Sequence, residues 1–459
     1  MAKTKAMTEG SILPQILAFS IPLLLGNLVQ QTYNFIDAMI VGNILGPNAL
    51  GAVGASSSVQ FLVLGMCIGL CLGFAVPVAQ RFGAGEYESM RKYIYNAYIL
   101  TFAGAVLITG ICAVFCPYIL RILQTPSDIF HDAYQYLFVI FLGIPCTLLY
   151  NLLSSNLRAV GDSTTPFIFL LVSAGLNIVL DLILIVVFKM GVTGAALATV
   201  LSQGVSGVLC AIYMTKKFPV LRVQKGIQQF SWRRARTLLA MGIPMGLQFS
   251  ITAIGSMVMQ SANNSLGTIY TSAFSAAMRI KQMTMCPFDA IASAVSTFAG
   301  QNYGAGKPDR IKRGIREGAL VGAGYGVVIG IILILFGREM SMAFISKNAL
   351  HATDILAESG RYLACLGFFY WSLGLLNTCR LAVQGLGYSH LAIISGVIEM
   401  VARTVVSLVF VPLFHFTAIC FADQSAWVTA TIYSCAICIY VVRTVTRKIQ
   451  MNATDMEKA

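Results

Sequence analysis

The feature that most constrains this chain is a series of about twelve apolar segments, each 20–30 residues long, running from end to end. A helix of roughly 20 apolar residues is long enough to cross the hydrocarbon core of a bilayer. The segments lie at 15–43, 50–78, 94–117, 134–156, 164–188, 193–214, 238–264, 271–299, 314–337, 355–379, 389–413 and 417–442. Apolar residue types make up 57% of the chain and charged types only 11%, which a soluble fold could not accommodate. The sequence therefore predicts an all-α polytopic membrane protein in contact with the lipid bilayer.

The net charge of +13 follows the loops between these segments. Of the 31 Lys and Arg residues, 23 lie in the two termini and in alternate loops near 81–92, 158, 216–236, 307–316 and 380. The opposite loops carry only Arg121, Lys189, Arg338 and Lys347. Because cytoplasmic loops are enriched in basic residues, we expect a multi-pass protein of the cytoplasmic (inner) membrane with both termini in the cytoplasm. Nucleic-acid binding would need these charges on one folded face, so no nucleic-acid partner is expected.

The cysteines and histidines give no sign of a metal centre. Nearly all twelve cysteines lie inside the apolar segments, and no pair has a histidine or a second pair at ligand spacing. They are best interpreted as small packing residues. No nucleotide-binding loop or nucleophile motif is present, and the cytoplasmic loops are too short for a catalytic domain. We therefore expect neither an enzyme nor a cofactor.

The chain repeats itself at a nearly constant offset. Phe19-Ser-Ile-Pro22 matches Met241-Gly-Ile-Pro244 after 222 residues, and Gln80-Arg-Phe-Gly-Ala-Gly85 matches Gln301-Asn-Tyr-Gly-Ala-Gly306 after 221. Ser173 and Ser395 occupy equivalent places in the fifth and eleventh segments. Motif pairs in one order at one offset indicate duplication. The prediction is two parallel six-helix bundles, 1–214 and 238–443, with a basic cytoplasmic linker at 215–237 and a cytoplasmic tail at 444–459.

Three sequences within these repeats resemble the multidrug and toxic compound extrusion (MATE) family, prokaryotic type. They are the Gln-x-x-Gly-Ala-Gly pair, Tyr33-Asn-Phe-Ile-Asp37, and Asn177-x-x-x-Asp181. The resemblance covers about residues 10–445. It implies two bundles in a V shape with a central cavity. It also implies export of small amphipathic, often cationic compounds by alternating access, driven by protons or sodium.

Within transport, one alternative is a flippase or exporter of a lipid-linked or endogenous metabolite. We expect a monomer. Other branches of the family carry acids in the seventh span, where this chain has Val258, Met259 and Gln260. A second ion site in the C-terminal half is therefore not expected.

Four polar residues of the first half lie at matching depth in the membrane. Counted from the nearest outer loops at ~1.5 Å per residue, Asp37, Asp181 and Thr199 all fall ~12–14 Å below the outer surface. Asn177 is one helical turn from Asp181. Two carboxylates in a low dielectric would share a proton, or the four side chains would form an oxygen cage for sodium. The resemblance implies the same four positions as the ion-coupling site, and the alternative is a static hydrogen-bonded cluster.

Further polar residues are candidates for a substrate cavity. Gln30 and Tyr33 precede Asp37 on the same side of its helix, and Asn151 is the third candidate in the first half. Polar side chains in such spans need a partner, water or a function.

In the second half the cavity candidates are Asp289, Glu399 and Arg403. Glu399 and Arg403 are four residues apart, so an internal ion pair explains both of them without a transport role. Asp289 could pair with Arg279 or Lys281.

Prolines and glycines mark positions that shape the helices. Pro22 and Pro244 are equivalent in the two repeats and would start or bend a helix, and the resemblance implies a hinge at Pro22. The glycine series Gly65/Gly69/Gly73 and Gly318/Gly322/Gly326/Gly330 predict close contact between helices.

Overall fold

The computed structural model describes residues 6–122, 125–224, 226, 229–345 and 351–458, and within these ranges it contains helices and no strand. The helices are α1 Ile12–Leu45, α2 Pro47–Gly83, α3 Tyr87–Ile122, α4 Phe130–Leu142, α5 Ile144–Ala159, α6 Thr164–Asp181, α7 Gly191–Lys217, α8 Trp232–Asn264, α9 Thr268–Gly304, α10 Pro308–Ser341, α11 Ala352–Gly385, α12 Ser389–Val405, α13 Val411–Phe414 and α14 Phe416–Lys458. Lys3, Lys5, Lys225 and Lys347, counted above among the loop charges, lie outside the described residues.

These helices supply the predicted membrane spans. Ten helices are long and apolar enough to cross a membrane, and α4 with α5 adds an eleventh span that is bent by 46°. The bend follows from Gly143 between the two helices and from Pro145 in the first turn of α5. The remaining long helix, α9, has 37 residues but interrupts its apolar sequence with Arg279, Lys281 and Asp289.

Two spans end in π-helical segments. One runs over Leu182–Val187 directly after α6, and the other over Val406–Phe410 directly after α12. A π-helical turn widens the hydrogen-bond ring and is frequent at functional sites. Both segments lie toward the ends of repeat-equivalent spans.

The helices form two compact units. Unit one comprises Leu25–Ser250, and unit two comprises Met7–Leu24 together with the chain from Ile251 onward. These boundaries differ from the predicted bundles 1–214 and 238–443. The first part of α1 belongs to unit two, and the first part of α8 belongs to unit one. The predicted tail at 444–459 continues α14 through Lys458.

Burial explains why the first part of α1 belongs to unit two and the first part of α8 to unit one. Ile16 and Phe19 of α1 are buried in one hydrophobic cluster with Val295 and Phe298 of α9. Leu238 of α8 is buried in a cluster of unit one. Apolar surface at these helix starts is therefore removed from water and lipid by the other repeat's bundle.

Polar contacts hold the segment before α1 on unit two. The Met7 backbone N–H donates to Gln301 Oε1 at 2.8 Å, and Asn302 Nδ2 donates to the Met7 carbonyl at 3.1 Å. Arg310 donates to the carbonyls of Met7 at 3.1 Å and Gly10 at 2.7 Å. Gln301 and Asn302 belong to the second copy of the repeated Gln-x-x-Gly-Ala-Gly sequence, so this copy anchors the start of α1.

The predicted close contacts at the glycines are present. A Cβ on Gly73 would lie 2.4 Å from the Cα of Gly242, and a Cβ on Gly330 would lie 2.3 Å from the Gly367 carbonyl oxygen. Both distances are below any normal contact, so only glycine allows α2 to approach α8, and α10 to approach α11, this closely.

Candidate functional site

Three helices of unit one bring Asp37, Asn177, Asp181 and Thr199 together. The Asn177 amide donates to Thr199 Oγ1 at 3.3 Å, and Thr199 Oγ1 donates to the Ala195 carbonyl at 3.2 Å. The carboxyl groups of Asp37 and Asp181 are neighbours. Asp181 is 0% exposed and Asn177 is 2% exposed, while Asp37 is half-buried. We call these four residues the oxygen cluster.

Four acceptor oxygens of the oxygen cluster receive no hydrogen bond from the part of the chain that the structure describes. Asp37 Oδ1, Asn177 Oδ1 and both carboxylate oxygens of Asp181 are buried without a partner among the described residues. An ionised carboxylate can only accept hydrogen bonds, and a buried polar group left unpaired costs about 1–3 kcal/mol, more when it is charged. The cluster therefore offers several buried acceptor oxygens that could receive a shared proton or a small hard cation.

A resident metal centre of another kind is not indicated. In the described part of the chain, no group of three or more His, Cys, Asp or Glu side chains could hold a metal ion. The oxygen cluster has two acids, one amide oxygen and one hydroxyl. This donor set suits an ion that loses and regains its ligands easily.

Aromatic and amide side chains surround the oxygen cluster. Tyr136 of α4 is 3% exposed and lies beside both acids. Tyr33 lies beside Asp37 and hydrogen-bonds with Gln30 and Gln203. Of these residues, Tyr136 and Gln203 were not identified from the sequence. Gln203 follows Thr199 by one helical turn, which was a usable signal. No sequence signal pointed to Tyr136, because α4 comes close to the oxygen cluster only in the folded structure.

Asn151 lies at the edge of the same network. Its side chain donates to the Thr147 carbonyl one turn earlier at 2.8 Å, and Thr147 Oγ1 donates to Gln203 Oε1 at 2.6 Å. A chain of polar contacts thus runs from Tyr33 on α1 through Gln203 on α7 to Thr147 on α5. This chain connects the three first-half cavity candidates with the oxygen cluster.

Pro22 lies inside a continuous helix. Helix α1 runs from Ile12 to Leu45 through this proline, and the division between the two units falls two residues later, between Leu24 and Leu25. The structure therefore shows no break at Pro22 itself. It places the proline beside the point where α1 passes from one unit to the other.

The second repeat has an ion pair at the positions that Asn177 and Asp181 occupy in the first repeat. The 222-residue offset that relates Ser173 to Ser395 places Glu399 at the position of Asn177 and Arg403 at the position of Asp181. Arg403 Nη2 donates to Glu399 Oε2 at 3.3 Å, which is the predicted internal pair. Where unit one has the carboxyl group of Asp181, unit two thus has the guanidinium group of Arg403.

Arg403 belongs to a larger group of buried charges in unit two. We call this group the charge cluster, and its members are Lys281, Arg380, Glu399, Arg403 and Asp423. Arg403 Nε donates to Asp423 Oδ1 at 2.8 Å, Lys281 also pairs with Asp423, and Arg380 pairs with Glu399 at 2.6 Å. Tyr362 Oη donates to Asp423 Oδ2 at 2.8 Å. The cluster joins α9, α11, α12 and α14.

The charge cluster changes two interpretations drawn from the sequence and adds one residue to them. Asp423, near the start of the segment 417–442, was not among the candidates; it is 0% exposed and lies at the centre of the cluster. Arg380 was counted as a loop charge, but it lies inside α11. Lys281 pairs with Asp423 rather than with Asp289, whose Oδ1 accepts from Asn377 Nδ2 at 3.0 Å.

Comparisons with known proteins agree with this architecture. A family model described as MatE matches residues 22–183 and 244–409. The chain is 33% identical over 377 residues to the probable multidrug resistance protein YpnP of Bacillus subtilis (strain 168), covering 81% of this chain and 82% of that protein. It is 25% identical over 378 residues to the probable multidrug resistance protein NorM of Thermotoga maritima, covering 81% and 80%. A crystal structure of MATE in complex with MaL6 superposes with a TM-score of 0.90 at 22% identity, covering 97% of this chain and all of that one.

Two repeats of membrane-spanning helices with acids buried among them define a multi-pass membrane transport protein. The chain belongs to the MATE family of multidrug efflux transporters. The predicted fold, twelve helices in two bundles, is confirmed by the match to solved MATE structures. The family consists of transporters, so the prediction that the chain is not an enzyme is also confirmed.

Proposed function

We propose that this transporter exports small amphipathic, often cationic organic compounds in exchange for an inward-moving proton or sodium ion, by alternating access. The observation that supports this most directly is the oxygen cluster, in which four buried oxygen atoms have no partner among the described residues. Binding of one monovalent cation reduces the charge of the Asp37–Asp181 pair from −2 to −1 and gives the unpartnered oxygens a ligand. Its release restores two adjacent negative charges in a low dielectric. The bound and empty states therefore differ strongly in energy, which coupling requires.

The position of Asp37 connects this energy to a conformational change. Asp37 lies in the part of α1 that belongs to unit one, whereas the part before Leu25 belongs to unit two. A change at Asp37 is thus transmitted along a helix that is anchored in both units, and Pro22 is the proposed hinge. Gln30, Tyr33 and Asn151 are the proposed substrate contacts of unit one.

The proposed location is the cytoplasmic membrane, with both termini in the cytoplasm and the protein acting as a monomer. The basic loops support this orientation by the positive-inside rule. Each unit charge that moves inward provides ~2.3 kcal/mol per 100 mV of membrane potential. One cation per cycle is therefore sufficient to concentrate a compound outside the cell.

Purified protein in proteoliposomes tests the proposal. A fluorescent organic cation is loaded, and proton and sodium gradients are imposed separately. We expect one of the two gradients to drive dye movement, and Asp37→Asn and Asp181→Asn each to abolish it while the protein still reconstitutes. Asp162→Asn, which removes a carboxylate that caps the start of α6, is the matched control. Gradient-driven transport by the Asp37→Asn variant at the wild-type rate would exclude the oxygen cluster as the coupling site.

A further inference from the structure

Helix α9 of unit two has an exposed face that is polar along most of a membrane span. Between Thr268 and Asp289 the exposed side chains follow helical spacing, and all but one are polar: Thr268, Ser272, Ser275, Arg279, Gln282, Met283 and Asp289. We call this the α9 polar face. Its 21-residue extent corresponds to ~32 Å along a helix, about the thickness of the hydrocarbon core.

Other helices of the same unit have exposed faces of the opposite character. The exposed residues of α12 between 394 and 405 are Ile394, Val397, Val401 and Val405, and those of α10 include Leu320, Val327, Val328, Ile331 and Leu335. Such faces are suited to lipid. The Ser275 hydroxyl donates to the Thr271 carbonyl of its own helix, but amide and carboxylate side chains such as Gln282 and Asp289 are costly in hydrocarbon, so we expect the α9 polar face to contact water.

The α9 polar face ends at Asp289. From Ala290 to Gly304, α9 packs against α10 and α11, and Ala290, Val295 and Phe298 are buried in the cluster that includes Phe19. Asp289 is therefore the last exposed side chain before the helix becomes enclosed. A solute that follows the polar face in from the Thr268 end meets this carboxylate where the exposed surface stops.

The charge of Asp289 is available to a ligand. The neutral amide of Asn377 donates a hydrogen bond to Asp289 Oδ1. The nearby guanidinium of Arg380 is bound to Glu399 at 2.6 Å and to Asn377 Oδ1 at 2.6 Å. Arg403 and Lys281 are bound to Asp423. The buried basic groups thus have acidic partners inside unit two, whereas Asp289 presents its carboxylate on the exposed face.

Apolar side chains flank this carboxylate. Met283 is 41% exposed on the same face, and Met285 and Pro287 are half-buried. Methionine is flexible and polarisable, so it adapts to apolar groups of different shapes. Met285 lies one helical turn before Asp289, so a carboxylate and a half-buried methionine together are complementary to an ammonium group carried on an apolar body.

We propose that the α9 polar face lines the water-filled path of unit two and that Asp289 is its specificity-determining residue for substrates with a positive charge. This inference rests on the proposed export function for its physiological meaning. Its two physical claims, water contact along α9 and cation recognition at Asp289, can be measured without any ion gradient.

Thiol labelling tests the first claim. Ser272→Cys, Ser275→Cys and Gln282→Cys are introduced singly, with Val397→Cys and Val401→Cys as lipid-facing controls. The twelve native cysteines are all buried or half-buried, and the unsubstituted protein gives the background. In membrane vesicles without detergent, we expect a charged, water-soluble maleimide to modify the α9 variants and not the α12 variants. Equal modification of both groups, or modification of neither, would overturn the assignment of the water-filled path.

Binding measurements test the second claim. Purified Asp289→Asn and Asp289→Glu proteins are titrated with an organic ammonium dye and with a neutral compound of similar size. Loss of a charge-assisted contact weakens binding roughly tenfold or more. We expect this loss for the cation in Asp289→Asn, little change for the neutral compound, and recovery in Asp289→Glu. An equal loss for both compounds, with a lower melting temperature, would show that Asp289 serves only as an internal counter-charge, and the proposal would fail. Failure here would leave coupling at Asp37 untouched.

Discussion

Asp181 and Arg403 occupy equivalent positions 222 residues apart in the two repeats, each shortly before a π-helical segment, and they carry opposite charges. Asp181 leaves both carboxylate oxygens without a partner among the described residues, whereas Arg403 binds Glu399 and Asp423. In the proposed mechanism, the site of the first repeat takes up a cation from outside, whereas the equivalent position of the second repeat carries the positive side chain of Arg403. The predictions below separate these two roles.

The Thr199 hydroxyl should set the affinity of the oxygen cluster for the coupling cation. Thr199→Val keeps the side-chain shape but removes one oxygen and the acceptor that orients the Asn177 amide. The expected result is a roughly 5–10-fold weaker apparent affinity, the value of one hydrogen bond of about 1–1.5 kcal/mol. The measurement is transport rate against external pH and, separately, external sodium. Thr199→Ser retains the hydroxyl and should behave as wild type; equal behaviour of the two variants would remove Thr199 from the site.

Lys281 should be essential for the stability of unit two. Lys281→Met leaves Asp423 with one of its two basic partners, and breaking a buried ion pair costs about 3–5 kcal/mol. We expect a clearly lower melting temperature in detergent. Lys312→Met is the control, because Lys312 pairs with Asp309 at 3.6 Å on the exposed surface, where a pair contributes about 0–1 kcal/mol. If both variants melt alike, the charge cluster does not stabilise the bundle.

Gly330 should tolerate no side chain. In Gly330→Ala the new methyl group meets the Gly367 carbonyl at 2.3 Å, so α10 and α11 must move apart, at a typical cost of about 1–3 kcal/mol. Gly324→Ala, in the same helix, adds a methyl group with nothing within 4 Å and should be neutral or stabilising by about 0.5–1 kcal/mol. Thermal unfolding of the two variants measures the difference. Comparable melting of both would contradict the close contact.

Arg310 should hold the segment before α1 on unit two. Arg310→Ala removes the side chain that donates to the carbonyls of Met7 and Gly10, so residues 7–10 should open more often. We expect faster amide hydrogen exchange in this segment by mass spectrometry. Arg313→Ala, an exposed arginine on the same helix, is the control. Unchanged exchange in the Arg310 variant would show that the apolar contacts of Ile16 and Phe19 are sufficient.

The sequence was most informative where local spacing carries the information. Apolar length predicts the spans, and the four-residue spacing predicts the Asn177–Asp181 and Glu399–Arg403 pairs. It was least informative for contacts between distant segments. Lys281 and Asp423 are 142 residues apart, and the sequence around either residue does not indicate that the other is its partner. The exchange of helix ends between units was missed for the same reason, because a span boundary says nothing about which bundle buries the helix.

The permanent positive charge of Arg403 has a consequence for the number of ions that drive each transport cycle. An arginine does not gain or lose a proton in a protein, so on the proposed mechanism Arg403 makes no contribution to the number of ions taken up per cycle. The ratio of ions to transported molecules is then set by Asp37 and Asp181. With one cation exchanged for one neutral molecule, a 100 mV potential supports at most a roughly 50-fold accumulation outside. Positively charged compounds would reach a lower accumulation ratio. Moving their charge outward against the membrane potential costs the electrical energy that the inward cation provides.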